Sequence, residues 1–368
     1  MSFAAAADVR GADVVIVGGG IMGCAVSLEL AGRGARVVVL ERSLPGAEAS
    51  TAAAGILAPQ VEADGPGPLL ALGLASRALY PALAARLKDE TGIDVGYRAC
   101  GTLALAFDDG AADELRGRRR WQSAAGLHAE WLDPAALALR APAVTADLRG
   151  ALWLPDDHQV DPRPLMRALS SAAERAGVRF VCGVPVGRVA VSEGRVAGIE
   201  LAEGTISART VVLAAGSWSS LVGGTGLPAD LVIPVRGQMV ALDGRRRLLD
   251  QVVFGPAGYV VPRADGRVLA GSTMEMVGFD RTVTAAGTYA ILGAALRLVP
   301  GLGALEVAGT WASFRPRTPD DLPLLGRTAV AGLFVATGHH RNGILLAPIT
   351  AAIVAAEIAG HVPPVDAA

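Results

Sequence analysis

The chain has 368 residues, 52% of them hydrophobic, and its 33 Lys and Arg against 35 Asp and Glu leave a net charge of −2. That length predicts two domains sharing one cleft, and the near-balanced charge argues against the basic footprint of a nucleic-acid binder or a partner of acidic membranes. Three cysteines with no CxxC pair exclude a disulfide framework and a zinc ribbon, and they favour a reducing, cytoplasmic compartment.

The leader MSFAAAADVRGAD is broken by Asp8 and Arg10 before an adequate apolar region forms, so no signal peptide is expected. Next comes ADVVIVGGGIMGCAVSLELAGRGARVVVLE, which reads as strand, glycine-rich turn, helix and a second strand ending on an acid. This is the order of a nucleotide-binding βαβ unit. Gly18 permits the tight turn, Gly20 lets backbone approach a pyrophosphate, and Gly23 lets the helix pack on the strand. Ile21 and Met22 open the helix whose free N–H groups face the phosphates, and Glu41, 18 residues past Gly23, stands where a ribose hydroxyl is bound. The motif fits FAD and NAD equally, because both present the same adenosine diphosphate half.

Further along, DPRPLMRALSSAAERAG predicts a helix capped by Asp161 with Pro162 in its first turn and a stop at Gly177. VRFVCGVPVGRVAV reads as strand, turn, strand. ARTVVLAAGSWSS is an apolar strand ending in small residues at Ala214 to Gly216, where backbone can approach a ligand. GLFVATGHHRNGILLAP repeats the device, a strand to Thr337, a turn at Gly338 and the start of a last helix. Between these segments GTLALAF, QMVALD, YVVPR and RVLAGSTM are short and alternating, as in an antiparallel sheet.

The predicted fold class is therefore α/β (α+β): a Rossmann-like nucleotide domain with an inserted, mostly antiparallel substrate domain. The boundaries read as 1–60, 156–227 and 319–368 for the first and 61–155 and 228–318 for the second. Basic runs at 116–120 and 245–247 read as solvated faces. No apolar run is expected to cross a membrane; the strongest, GILLAPITAAIVAAEIAG from Gly343, holds Pro348 and Glu357 and reads as a buried helix.

GGGIMG with Glu41, ASTAAAGILAPQ from Ala49, GYVVPR at 258–263, LAGSTMEMVGFD at 269–280, SFRPRTPDDLPLLG at 313–326 and ATGHHRNGILLAP at 336–348 give the chain a specific likeness. In order and spacing it resembles the FAD-dependent glycine oxidases of thiamine biosynthesis, within the D-amino-acid oxidase superfamily, from about residue 13 to residue 360. The resemblance implies FAD, with Ala49, Ser50, Thr51, Ala54, Gly55 and Ile56 along the pyrophosphate and ring. Small side chains suit such close approach. Glu41 and Arg42 are implied at the adenosine, Val186 at the adenine through its backbone, and Gly216 beside the cofactor. The turn of His339, His340, Asn342, Gly343, Ile344 and Leu345 is implied to aim N–H groups at flavin N1 and the C2 carbonyl.

Arg315 is implied as the clamp on a substrate carboxylate, for which a planar guanidinium fork is suited. Tyr259 is implied to assist it, Met274 to wall the pocket, and Arg341 to bond near the carboxylate or amine. Arg317, two residues from Arg315, is the less favoured clamp. Adjacent side chains diverge and no acid or Cys cluster accompanies them, so His339 and His340 are not read as a metal site.

The implied reaction is hydride transfer from a small amino acid to flavin, giving an imine that hydrolyses or feeds thiazole synthesis, with dioxygen becoming hydrogen peroxide. Two departures, His340 where Phe or Tyr is commoner and Pro256-Ala257-Gly258 without a polar side chain, leave sarcosine and small D-amino acids open beside glycine. The alternatives are the flavin subunit of a small-amino-acid dehydrogenase passing electrons to a partner or quinone, and an NAD-dependent enzyme. The residues at 49–56 weigh against the latter, and the charge weighs against an RNA-modifying flavoprotein. Family likeness implies a homo-oligomer, commonly a tetramer.

Overall fold

A computed structural model describes residues 11–202, 204–244 and 247–365. Most of the leader and part of the basic run at 245–247 lie outside the described residues.

Strand Val14–Val17 lies at the centre of a six-stranded sheet, paired in parallel with Val37–Glu41 on one side and Val211–Leu213 on the other. Arg179–Cys182 and Leu333–Thr337 extend the two sides in parallel, and Leu324–Arg327 closes one edge antiparallel. The three central strands are wholly buried, which is why their sequences are nearly unbroken Val, Ile and Leu. Helices Ile21–Gly32, Pro162–Arg175 and Gly343–Ile358 bury their apolar residues in one core with Val14 and Ile16. Asp161 caps the second of these, accepting from the Arg163 N–H at 3.1 Å, with Pro162 in the first turn as its sequence requires. The opposite face, with Val15 and Val17, packs against a small antiparallel sheet of Arg188–Ser192, Arg195–Leu201 and Gly204–Ser207.

The second layer is an eight-stranded sheet. It is antiparallel except where Val252–Gly255 pairs in parallel with Thr102–Ala106. Its longest ladder joins Ile233–Asp243 to Glu306–Arg317, with Val235 opposite Arg315 and Gly237 opposite Ser313. Helix Ala285–Leu298 buries Ile291, Ala295 and Leu298 against that sheet. The α/β architecture with parallel and antiparallel sheets is the one expected from sequence.

One element departs from expectation. Helix Pro68–Thr91, 24 residues with Pro81 inside it, is by length and composition able to cross a membrane, whereas the sequence pointed to 343–360 as the strongest candidate. Its Leu72, Tyr80 and Leu87 join the core of the parallel sheet, although the helix falls in the stretch 61–155 read as substrate domain. Ser76 Oγ donates to the Leu345 carbonyl at 2.6 Å and the Tyr80 hydroxyl donates to the Ile344 carbonyl. These bonds brace the first turn of the last helix. Arg77, Arg86 and Lys88 interrupt the apolar pattern of this helix, and burying only one side makes its sequence hard to place.

Candidate functional site

A cleft of about 380 Å³ runs between the C-terminal ends of the parallel strands and the inner face of the eight-stranded sheet. Its first end is built by the glycine turn. Gly18 has φ +105°, and a Cβ there would fall 2.5 Å from the Ala214 carbonyl oxygen. A Cβ on Gly23 would fall 1.9 Å from the Gly18 carbonyl oxygen, so the helix can approach the strand only with glycine at this position. Gly18, Gly20, Ile21 and Met22 line the cleft; Gly23 lies behind it, as a packing glycine.

Glu41 ends its strand at the cleft wall. One carboxylate oxygen accepts from the Gly19 N–H at 2.7 Å and the other from the Ser43 N–H at 2.8 Å, which locks the acid against the turn. The Ser50 hydroxyl accepts from the Ile21 N–H at 2.9 Å and joins the helix start to the small-residue segment. Ala49, Ser50, Ala54, Gly55 and Ile56 line the cleft with that segment, and a Cβ on Gly55 would fall 2.0 Å from the Val160 carbonyl oxygen. Thr51 faces a shallow neighbouring hollow instead, donating its hydroxyl to the Gly46 carbonyl.

At the far end Arg42 lies 3.6 Å over the Trp218 ring and is paired with Glu48, with Val186 and Gly216 on the adjoining wall. Trp218 and Glu48 were not found from sequence; an aromatic at the end of an apolar strand was the available signal. Opposite, His339, His340, Asn342, Gly343 and Ile344 line the cleft at the start of helix Gly343–Ile358. Leu345 is buried behind them, holding Ser76. Helix N-termini present unpaired N–H groups and a positive dipole end, so this turn favours negative charge.

The two histidines part ways. His339 turns inward to Thr350 Oγ1 at 3.0 Å, and burial pushes it down to about 3. His340, at φ +44°, has its backbone N–H bonded to the Pro316 carbonyl and its Nδ1 3.2 Å from Asp321. Burial, outweighing Asp321 and helped by Arg315, Arg341 and Arg317, pushes it down to about 4. Both are neutral at pH 7.

The cleft deepens toward the antiparallel sheet, where three strands converge. Arg315 sits part-buried on the strand Glu306–Arg317. It donates to the Ser272 hydroxyl at 2.6 Å and the Thr273 carbonyl at 3.1 Å. Tyr259 reaches Ser272 Oγ at 3.3 Å, so one serine ties the arginine to the phenol. Gly237 makes room for the clamp: a Cβ there would lie 2.4 Å from both terminal nitrogens of Arg315. Arg317 turns away to a two-pronged pair with Asp321 at 2.7 and 3.1 Å. Arg341 stands nearer the mouth, paired with Glu62 at 2.7 Å. Met274 stands on the rim, 51% exposed and 3.8 Å from Arg341 through its sulfur, outside the cleft lining. Ser272, Gly237 and Glu62 escaped the sequence reading, because strand pairing brings the first two to Arg315 and tertiary packing brings a short helix with Glu62 to Arg341.

The residues that line the glycine-turn end suit FAD on structural grounds: glycines where a side chain would collide, a locked acid at the second strand, and two helix N-termini that face one cleft. A family model described as FAD dependent oxidoreductase matches residues 13–357. The bifunctional ThiO/ThiG protein of Trichormus variabilis is 40% identical over 347 residues, which is 93% of this chain and 52% of that protein. The chain thus spans about half the length of that relative. Glycine oxidase of Geobacillus kaustophilus is 40% identical over 93% of this chain and 92% of its own length. Its crystal structure matches with a TM-score of 0.93 and 38% identity over 97% of both chains. Iminodiacetate oxidase from Chelativorans sp. BNC1 matches with a TM-score of 0.85 and 29% identity over 96% of both chains.

Proposed function

The chain belongs to the family of FAD-dependent oxidoreductases, and on that premise we propose that it oxidises glycine, with sarcosine and small D-amino acids as further candidates. The observation that carries this reading is Arg315, which has no carboxylate in ion-pair reach among the described residues and opens on the same cleft as the glycine turn. A cation taken partly out of water without a carboxylate partner is costly, and a ligand carboxylate relieves that cost.

Arg315 and Tyr259 hold the carboxylate of the amino acid, and Ser272 keeps both in register. This fixes the α-carbon against the cofactor end of the cleft, so positioning supplies most of the catalysis. Gly18, Gly20, Ser50 and Glu41 hold the adenosine diphosphate half with Arg42 and Val186 beyond them, while the positive end of the last helix, at Gly343 and Ile344, favours the negative charge that develops at the pyrimidine edge. FAD bound there supplies the two-electron acceptor for the amino acid, with dioxygen as its reoxidant, giving the imine, or glyoxylate and ammonia after hydrolysis, and hydrogen peroxide. The relatives fused to ThiG support a role for that imine in thiamine thiazole synthesis. A cytoplasmic homo-oligomer, tetrameric by likeness to the family, completes the reading.

The test is to add glycine, sarcosine and D-alanine separately to the FAD-loaded protein in air and to measure peroxide and keto-acid product. Peroxide and glyoxylate with glycine are expected. Flavin reduction without peroxide points to a dehydrogenase serving a partner or quinone, and absence of reduction by all three overturns the reading.

A further inference from the structure

The cleft holds three arginines with unequal partners. Arg42 is paired with Glu48 and Arg341 with Glu62, whereas Arg315 bonds the Ser272 hydroxyl and the Thr273 carbonyl and has no carboxylate in ion-pair reach among the described residues. With His339 and His340 neutral, this end of the cleft offers one uncompensated positive charge. Glu62 ends the short helix Pro59–Glu62, whose Gln60 and Val61 N–H groups are pinned by the buried Asp157 at 3.3 and 3.0 Å. Its carboxylate therefore stands on a fixed support. Arg341, its partner, is the outer of the two substrate-end arginines, with 37% of its side chain exposed.

We propose that Glu62 is a charge filter that sets the substrate class: by occupying Arg341 it restricts the cleft to amino acids with one carboxylate and disfavours those with a second acid at the far end. This rests on the glycine-type reading above, because it takes Arg315 as the anchor. A one-acid ligand cancels the charge of Arg315 and leaves the site neutral. A two-acid ligand anchored at Arg315 brings its second anion toward Arg341, where it must displace Glu62 or lie beside a like charge. Solved structures named as a glycine oxidase and an iminodiacetate oxidase share this fold, so the fold does not choose between one-acid and two-acid amines. Side chains at the mouth must.

The experiment compares the FAD-loaded wild type with Glu62→Gln and Glu62→Ala. Acetate and succinate, which do not react, are titrated by calorimetry, and the ratio of kcat/KM for iminodiacetate to that for glycine is measured alongside. The wild type is expected to bind acetate about tenfold or more tightly than succinate; both variants narrow that ratio by about tenfold and raise the iminodiacetate to glycine ratio by a similar factor. Unchanged ratios in folded variants overturn the filter. Should a variant fail to fold, salt on the wild type decides: screening of the part-exposed pair narrows the acetate to succinate ratio, and a ratio indifferent to salt overturns the filter. A wild type that oxidises glycine yet binds both acids alike overturns the filter alone. One that neither oxidises glycine nor binds acetate overturns the parent reading as well.

Discussion

The two ends of the cleft are built by different means. The nucleotide end is shaped by backbone: two helix starts face it, and Gly18 and Gly55 stand where a Cβ would strike the Ala214 and Val160 carbonyls. The substrate end is shaped by side chains: Arg315 and Tyr259 from two strands and Ser272 just past the end of strand Val268–Gly271, meeting over Gly237. Damage at the first end should therefore remove the cofactor, and damage at the second should spare it and remove the substrate.

Gly23→Ala gives the sharpest test of the first half. Its Cβ would fall 1.9 Å from the Gly18 carbonyl oxygen, so helix and turn must separate, at a cost of about 3 kcal/mol. FAD affinity, read from bound-flavin absorbance, is expected to fall about a hundredfold or more. Arg315→Ala is the counterpart. Loss of a buried charge partner is worth about 3 kcal/mol, so kcat/KM for glycine falls by a few hundredfold, on the order of the measured range for such pairs, while FAD affinity stays within about twofold. Weakened FAD binding in this variant would break the comparison.

The pH dependence of stability reports on the turn that joins the two ends. Burial holds His339 at about 3, against 6.5 for an unperturbed histidine. Between those values the unfolded chain binds a proton that the folded chain does not, so stability falls as the pH drops from 6.5 toward 3. The slope from this one group is about 1.4 kcal/mol per pH unit. Denaturation midpoints across that range should fall, and His339→Gln should remove about one proton's share of the slope; His340 and His158, each pushed down to about 4 by burial, keep part of it. The smallest effect is expected from Tyr259→Phe. Losing one hydrogen bond worth about 1 kcal/mol raises KM for glycine about fivefold and leaves the flavin spectrum unchanged.

The same contrast explains what was legible in the sequence. The nucleotide end is the more contiguous: Gly18 to Gly23 and Glu41 fall within one short stretch and their residue types follow from local geometry, while 49–56 came through family likeness. Asp161 and Pro162 marked a helix start for the same reason. The substrate end is assembled by register. Gly237 faces Ser313 across a ladder of two long strands, so nothing near Gly237 in the sequence announces that it seats Arg315. Arg315 and Tyr259 were reached through family likeness rather than pattern, and Ser272 and Glu62 were not reached. Helix Pro68–Thr91 was misjudged because its core-facing residues are spread among arginines and a proline, and its core lies across the chain from its neighbours in sequence.

The most direct measurement is anaerobic addition of glycine to the FAD-loaded wild type and to Arg315→Ala, followed by the visible flavin absorbance. The account predicts rapid bleaching of the wild type and, in the variant, an intact flavin spectrum that bleaches a few hundredfold more slowly at low glycine. Equal bleaching of the two proteins, or none in a wild type that holds FAD, would contradict it.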